Sequence, residues 1–350
     1  MKTVVMIGPS PAARGGMASV MATMLAHGYG SDGRCVFLPT HVDGSAARKA
    51  LRAGSALARF TAMLAAGKVA LLHVHVASGV SFWRKAAFIR TARAFGCPVL
   101  FHLHGGEFRQ FIDERLSGRR QRFALDMIGR SAAAFALTRE SADWLRDRCH
   151  VAAVEVFPNP VAAQGVLPRM PGRDVLFIGR LEEKKGVFDL VRAFGRIAPR
   201  HPAARLVLAG EGDRERVQEI AREAGVLDRL VLPGWIDDKA RAALLSTAAV
   251  FVLPSHNEQM PMSLLEAMAA GTPVIGSDAG GIPEILEQGA CGFVIAAKDI
   301  DALTGAIERV LVDNIQADIF ARRGLERVKS EYLAESVLLR LRRRYEELAA

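Results

Sequence analysis

Short apolar runs, four to seven residues long and rich in Val, Leu and Ile, recur along this chain with amphipathic stretches between them. No other feature restricts the fold as much. A strand buried on both faces and joined to the next by a helix-length connection belongs to a parallel sheet covered by helices. The first series of runs is TVVMI (3–7), CVFL (35–38), ALLHVHV (70–76), PVLFHLH (98–104), AAFAL (133–137) and VEVF (154–157). The second is VLFIG (175–179), RLVLAG (205–210), LVLPG (230–234), VFVLP (250–254), PVIGS (273–277) and GFVIA (292–296). Each suffices for a doubly wound sheet. Between them, PNPVAAQGVLPRMPG (158–172) holds four prolines and two glycines without periodicity and reads as a linker. The expectation is an α/β protein of two Rossmann-like domains facing a cleft, over 1–160 and 161–331. The closing SVLLRLRRRYEELAA is too apolar on one face to stand free, so a helix over 332–350 is expected to dock back on the first domain.

The length of 350 residues suits two domains of ~150 residues. No uncharged apolar run reaches the ~18 residues of a membrane span. MKTVVMIGPS is a short β-like run broken by Gly and Pro, unlike a signal peptide, so a cytoplasmic location is expected. Cys35, Cys97, Cys149 and Cys291 are scattered, which suggests neither a disulfide framework nor a cysteine zinc site. The net charge of +9 is unevenly placed: residues 1–165 hold 21 Lys and Arg against 10 Asp and Glu, and the rest 25 against 27. A basic N-terminal half attracts anions, whether phosphorylated lipid headgroups, nucleic acid or a phosphate-bearing substrate. A merely solvated face is the plainer reading of the same charge.

Open parallel sheets bind ligands beyond the C-terminal ends of their strands, and three stretches there carry polar groups. GRLEEKKG (179–186) places Arg180 and Lys185 ahead of a helix, where two cations and the helix N–H groups suit a diphosphate. SHNEQMPMSLLEAM (255–268) places Glu258 at a strand end and Glu266 within an apolar helix. A carboxylate at a strand end can accept two vicinal hydroxyls, as of a sugar or ribose; alternatively, Ser263 and Glu266 fit a capping box that needs no ligand. GPSPAARGGMASV (8–20) puts Gly15 and Gly16 where a backbone can approach a ligand closely. It is not GxGxxG, and no acid is placed for a dinucleotide ribose, which argues against an NAD enzyme.

In this order, with DAGGIPEIL (278–286), these motifs resemble the retaining glycosyltransferases of family 4, which have the GT-B fold, over nearly the whole chain. The resemblance implies transfer of a sugar from a UDP- or GDP-linked donor held by the C-terminal domain. The acceptor, a saccharide or a polyprenyl-diphosphate-linked saccharide, would be held by the N-terminal one. Polysaccharide assembly on an anionic membrane surface is the implied setting, without cofactor, metal or nucleic acid. It gives Arg180 and Lys185 the diphosphate, Glu258 the sugar hydroxyls, Glu266 the ribose, and His104 a catalytic place near the transferred sugar. Gly15 and Gly16 would close over the phosphates, and Gly179, Gln259, Met260, Pro261, Met262 and Leu265 would line the donor. The family's Gly-Phe-Gly after the first glutamate is here Gln259-Met260-Pro261, and proline has no N–H to offer a sugar hydroxyl.

His73 and His75, and His102 and His104, alternate on strands, so each pair shares a face. No acid or cysteine stands at ligand spacing, which argues against zinc. Asp299-Ile300-Asp301 resembles the metal-holding DxD of other glycosyltransferases, but it opens a helix and reads as capping. Phe82 and Trp83 beside Arg84 and Lys85 suit either a membrane interface or the core. Two rival functions stand: a GT-B nucleotide-sugar epimerase, and a non-enzymatic nucleotide or nucleic-acid binder, the latter without a helix-turn-helix or an aromatic-rich binding face.

Overall fold

The computed structural model describes residues 2–30, 33–163 and 172–349. The chain divides into two compact units, residues 1–162 with 333–350, and residues 163–332. Residues 164–171 of the linker expected over 158–172 lie outside the described residues.

In the first unit strands and helices alternate: β1 (Thr3–Pro9), α1 (Gly16–Ala26), β2 (Cys35–His41), α2 (Ala46–Ala65), β3 (Val69–Val76), α3 (Val80–Ala94) and β4 (Val99–Leu103). Helices α4 (Phe108–Asp113) and α5 (Gly118–Gly129) precede β5 (Ala133–Ala136), and α6 (Arg139–Asp147) precedes β6 (Val154–Val156). All pairings are parallel, in the order β2-β1-β3-β4-β5-β6. Val5, Ile7, Leu72, Val74, Phe101 and Phe135 on its strands are sealed from solvent, as the unbroken apolar runs require. Each such side chain is worth about 1.5–3 kcal/mol of transfer free energy.

The second unit holds β7 (Asp174–Ile178), α7 (Val187–Ile197), β8 (Leu206–Ala209), α8 (Arg214–Glu223), β9 (Leu230–Gly234), α9 (Asp238–Thr247) and β10 (Ala248–Leu253). It continues with α10 (Met262–Ala269), β11 (Val274–Ser277), α11 (Ile282–Ile285), β12 (Phe293–Ile295), α12 (Ile300–Val312) and α13 (Asn314–Glu331). Its parallel sheet runs β12-β11-β10-β7-β8-β9, which is the Rossmann order 3-2-1-4-5-6 counted from its own first strand. Asp299 caps α12 by accepting from the Ala302 N–H at 2.8 Å, and Asp301 pairs with Arg196, so the DxD stretch is a cap.

The last helix, α14 (Ala334–Ala349), returns to the first unit. It packs on α1 and β3 through Val337, Leu338, Leu341 and Tyr345, and the Tyr345 hydroxyl lies 2.6 Å from His73 Nδ1. The apolar face that could not stand free thus completes the cover of the first sheet.

Candidate active site

Strand order reverses between β7 and β10 in the second unit, so the loops after these two strands diverge and leave room for a ligand. After β7 the chain makes a tight turn at Glu183–Lys185 and enters α7 through Gly186. Gly186 has φ +67°, and a Cβ there would lie 1.9 Å from the Pro254 carbonyl oxygen at the end of β10. Only glycine allows that approach. On the other side Gly280, at φ +53°, packs so that a Cβ would meet the Glu258 carbonyl oxygen at 1.7 Å. The His256 N–H donates to the Lys184 carbonyl at 2.8 Å, and the His256 ring lies 2.8 Å from Asp189 Oδ2.

These restraints bring Lys185 and Glu258 together. The Lys185 ammonium donates to the Glu258 carboxylate, which also accepts from Ser255 Oγ at 3.2 Å. Both side chains are largely withdrawn from water, at 24% and 11% exposure, so the pair is screened far less than a surface one. Arg180 leaves the same strand end but is 74% exposed, 3.4 Å from Glu182. Gly179 continues β7 with its N–H on the Ala209 carbonyl.

Glu266 sits at the middle of α10 and is 8% exposed. The capping-box alternative fails: α10 begins after Pro261 and no side chain caps it. Glu266 instead faces Arg241 of α9, with Oε2 3.2 Å from Nε, though this Nε has no hydrogen-bond partner of proper angle. Burial pushes the Glu266 carboxyl up to about 7, with Arg241 pulling it down and Asp238 adding to the rise. Arg241 gave no signal in the sequence, since helix α9 carries it to Glu266 only in three dimensions. Met260, Pro261, Met262 and Leu265 are buried, Leu265 completely, so its side chain has no surface to present. The Gln259 carbonyl accepts from the Gly281 N–H at 3.0 Å.

Gly15, Gly16 and His104 belong to the first unit. Gly15 precedes α1 without a capping side chain, a Cβ on it would meet nothing within 4 Å, and Gly16 opens the helix. His104 follows β4, and its Nε2 lies 2.8 Å from His75 Nδ1. Burial, and secondarily the charge of Lys85, lower the His104 pKa to about 3, so the ring is neutral. His73 Nε2 lies 3.2 Å from His102 Nδ1, and Nε2 of both His75 and His102 lacks a partner. The nitrogens of His73, His75 and His102 lie within 4.8 Å of one another. They are a donor set of the kind divalent metals use, but both nitrogens of His73 are already engaged, by Tyr345 and His102.

The sequence WRK at 83–85 divides by face. Phe82 and Lys85 turn into the core, at 0% and 2% exposure, whereas Trp83 stays partly open and stacks on Phe123 with centroids 6.1 Å apart. Of the two readings the core one holds for Phe82, Trp83 stays partly exposed, and Lys85, expected at the surface beside them, is buried. The signal was present: Lys85 falls between Phe82 and Ile89 at the helical spacing of the buried stripe.

Comparison with known proteins follows the same division. Residues 13–164 match the family described as Glycosyltransferase Family 4, and residues 164–327 that described as Glycosyl transferases group 1. The chain is 30% identical to the phosphatidyl-myo-inositol mannosyltransferase of Mycolicibacterium smegmatis over 309 residues, 85% of this chain and 76% of that protein. Its likeness to the glycogen synthase of Mycobacterium tuberculosis is 37% over 166 residues, 47% of this chain and only about two fifths (40%) of that protein. Among solved structures, sucrose-phosphate synthase from Thermosynechococcus elongatus superposes with a TM-score of 0.80 at 21% identity, covering 99% of both chains. Anabaena Alr3699/HepE in complex with UDP-glucose does so with 0.78 at 17%, covering 99% of this chain and 100% of that one.

Proposed function

This chain belongs to glycosyltransferase family 4 and has the GT-B fold, and on that premise we propose that it transfers a sugar from a UDP- or GDP-linked donor to a saccharide or lipid-linked saccharide, with retention at the anomeric carbon and without a metal. The observation that carries the reading is the Lys185–Glu258 pair, held by Gly186 and Gly280 at the switch point of the second sheet. In the reaction the bond from the anomeric carbon to the phosphate oxygen breaks while the acceptor oxygen bonds to that carbon on the same face. The hydroxyl proton passes to the departing phosphate. Negative charge accumulates on the diphosphate, and Lys185, Arg180 and the N–H groups at the start of α7 stabilise it. Glu258 holds sugar hydroxyls, and Glu266 the ribose diol once its carboxyl is ionised. His104, neutral, offers a ring nitrogen to the transferred sugar. None of these groups is placed as a covalent nucleophile. The names of the relatives, a mannosyltransferase and a structure holding UDP-glucose, support a nucleotide-sugar donor without choosing the base.

Removing one fixed donor to a developing oxyanion typically costs ~3 kcal/mol, a hundredfold or more in rate. Lys185→Ala is expected to lose turnover by that factor while the protein stays folded; activity within threefold of wild type would remove the proposed role. The two rivals are tested alongside it: epimer formation without acceptor favours the epimerase, and tight RNA or DNA binding with neither UDP nor GDP bound favours the non-enzymatic binder.

A membrane-borne acceptor, reached from the cytoplasmic face, is the setting the basic first unit supports. Trp83 and Phe123 stand with Arg119 and Arg120 around a cavity of about 490 Å³, aromatic rings among cations. Near an anionic surface each basic residue contributes about 1 kcal/mol. No helix among the described residues is long and apolar enough to cross a membrane. Co-sedimentation with anionic vesicles at low salt tests the setting, and protein left wholly in the supernatant would count against it.

A further inference from the structure

Lys85 is an amine buried without a counter-charge among the described residues. It is 2% exposed, its ammonium donates to Ser81 Oγ at 2.7 Å, and no acid among the described residues forms an ion pair with it. A buried amine with a single neutral acceptor is costly to charge, and burial, with Arg84 adding to it, lowers its pKa to about 7, so an anion bound beside it would restore the charge. Its neighbour Arg84 also has no acid partner among the described residues and donates to the Thr40 carbonyl at 3.2 Å. Lys49 and Arg84 act on His41 together with Lys85, and the Lys85 charge reaches His75 and His104 too. Lys85 stands one turn into α3, the helix that follows β3, and Arg84 beside it reaches the Thr40 carbonyl near the end of β2, so the pair lies on the ligand-binding edge of the first sheet. Two further observations favour a ligand there. His41 Nδ1 is buried with no hydrogen-bond partner, and Ser81, Arg84, His41 and His104 are all half-buried, so the ammonium sits beneath a partly open rim. Beside His41 stands Asp43, whose Oδ1 is 4.0 Å from His41 Nε2 and whose Oδ2 accepts from the Arg14 N–H.

We propose that Lys85, with Arg84 and His41, forms a phosphoryl-binding subsite of the first unit, which holds a phosphate or diphosphate carried by the acceptor. The inference rests on the glycosyltransferase reading for the word acceptor, but the anion site itself does not. A phosphoryl oxygen would take the two ammonium hydrogens that Ser81 leaves over and face the Arg84 guanidinium, replacing the water these groups gave up on folding. Such charge-assisted bonds are the strong kind.

The probe is inorganic pyrophosphate, titrated calorimetrically into the full chain saturated with UDP or GDP so that the second unit's phosphate site is filled. Wild type is expected to bind it, and Lys85→Met to bind about tenfold more weakly or worse. Lys85→Met keeps the volume, and its thermal unfolding shows whether it is folded. Should it misfold, the half-exposed Arg84→Gln serves instead, with several-fold weakening expected. Undiminished affinity in the folded variants, or no pyrophosphate binding by wild type, overturns the proposal. If wild type binds neither UDP nor GDP, the proposed donor reading fails separately, and pyrophosphate binding that depends on Lys85 but not on Lys185 would still uphold the site. Displacement of pyrophosphate by phosphatidylcholine vesicles bearing polyprenyl phosphate, but not by glucose 1-phosphate, identifies the lipid-borne source. The reverse identifies a soluble one.

Discussion

The two sheets of this protein present their ligand-binding edges with opposite electrostatic habits. In the second unit every cation of the site has an acid beside it: Lys185 with Glu258, Arg241 with Glu266 and Asp238, Arg180 with Glu182. In the first, Lys85 and Arg84 have none among the described residues. A compensated edge is stable while empty and can exchange partners when a donor diphosphate arrives. An uncompensated one is a standing demand for an anion, and it is less stable until that demand is met. On the proposed reading the same fold is prepared in two ways, one for a ligand that supplies both sugar hydroxyls and phosphates, one for phosphate alone.

The contrast can be broken directly. Glu258→Ala turns Lys185 into a second Lys85, a cation without its acid. Turnover should fall on the order of a hundredfold, and stability by about 1–3 kcal/mol, the cost of an unsatisfied buried group; steady-state rates and thermal melts read both. Lys85→Met should do the reverse to stability and raise the melting temperature, because it removes a buried amine that folding must discharge or leave without a counter-charge. A lower melting temperature in a folded Lys85→Met would show that the ammonium is satisfied as it stands.

Proton linkage sharpens the comparison, because the signs are opposite. Burial raises Glu266 to about 7, above its unfolded value, so the folded state holds the extra proton and stability falls as pH rises from about 4.5 through 7. Burial, with Arg84 adding to it, lowers Lys85 to about 7, so stability rises from pH 7 towards 10.5 as the unfolded chain keeps the proton longer. Glu266→Gln should flatten the acid limb and Lys85→Met the alkaline limb, each by no more than a few kcal/mol, read from thermal melts across pH. The charge acting on Lys85 in this window is that of Arg84, while His41, His75 and His104, on which Lys85 acts, have lowered pKa values and stay neutral there. Smaller still is Tyr345→Phe, which leaves His73 Nδ1 unpaired under α14 and should cost about 1 kcal/mol, seen as a modest drop in melting temperature.

The sheets were legible in the sequence because parallel strands buried on both faces leave unbroken apolar runs, and all twelve runs are strands. The order of the strands was not, since nothing local says that β7 lies between β8 and β10. Glu258 and Lys185 could be picked out because each stands just past a strand end. Arg241 could not, since only folding brings it to Glu266, whereas Ser255 stands three residues before Glu258 and was within local reach. Lys85 was misread as surface because positive charge is normally exposed, although its helical register with Phe82 and Ile89 placed it inside.

The central claim is that the second unit's paired edge grips a nucleoside diphosphate. Titration calorimetry of UDP and GDP against wild type and Lys185→Ala tests it most directly. One of the two nucleotides should bind wild type at a single site, with affinity for Lys185→Ala lower by about tenfold or more. Equal affinity in both proteins, or no binding of either nucleotide to wild type, would contradict it.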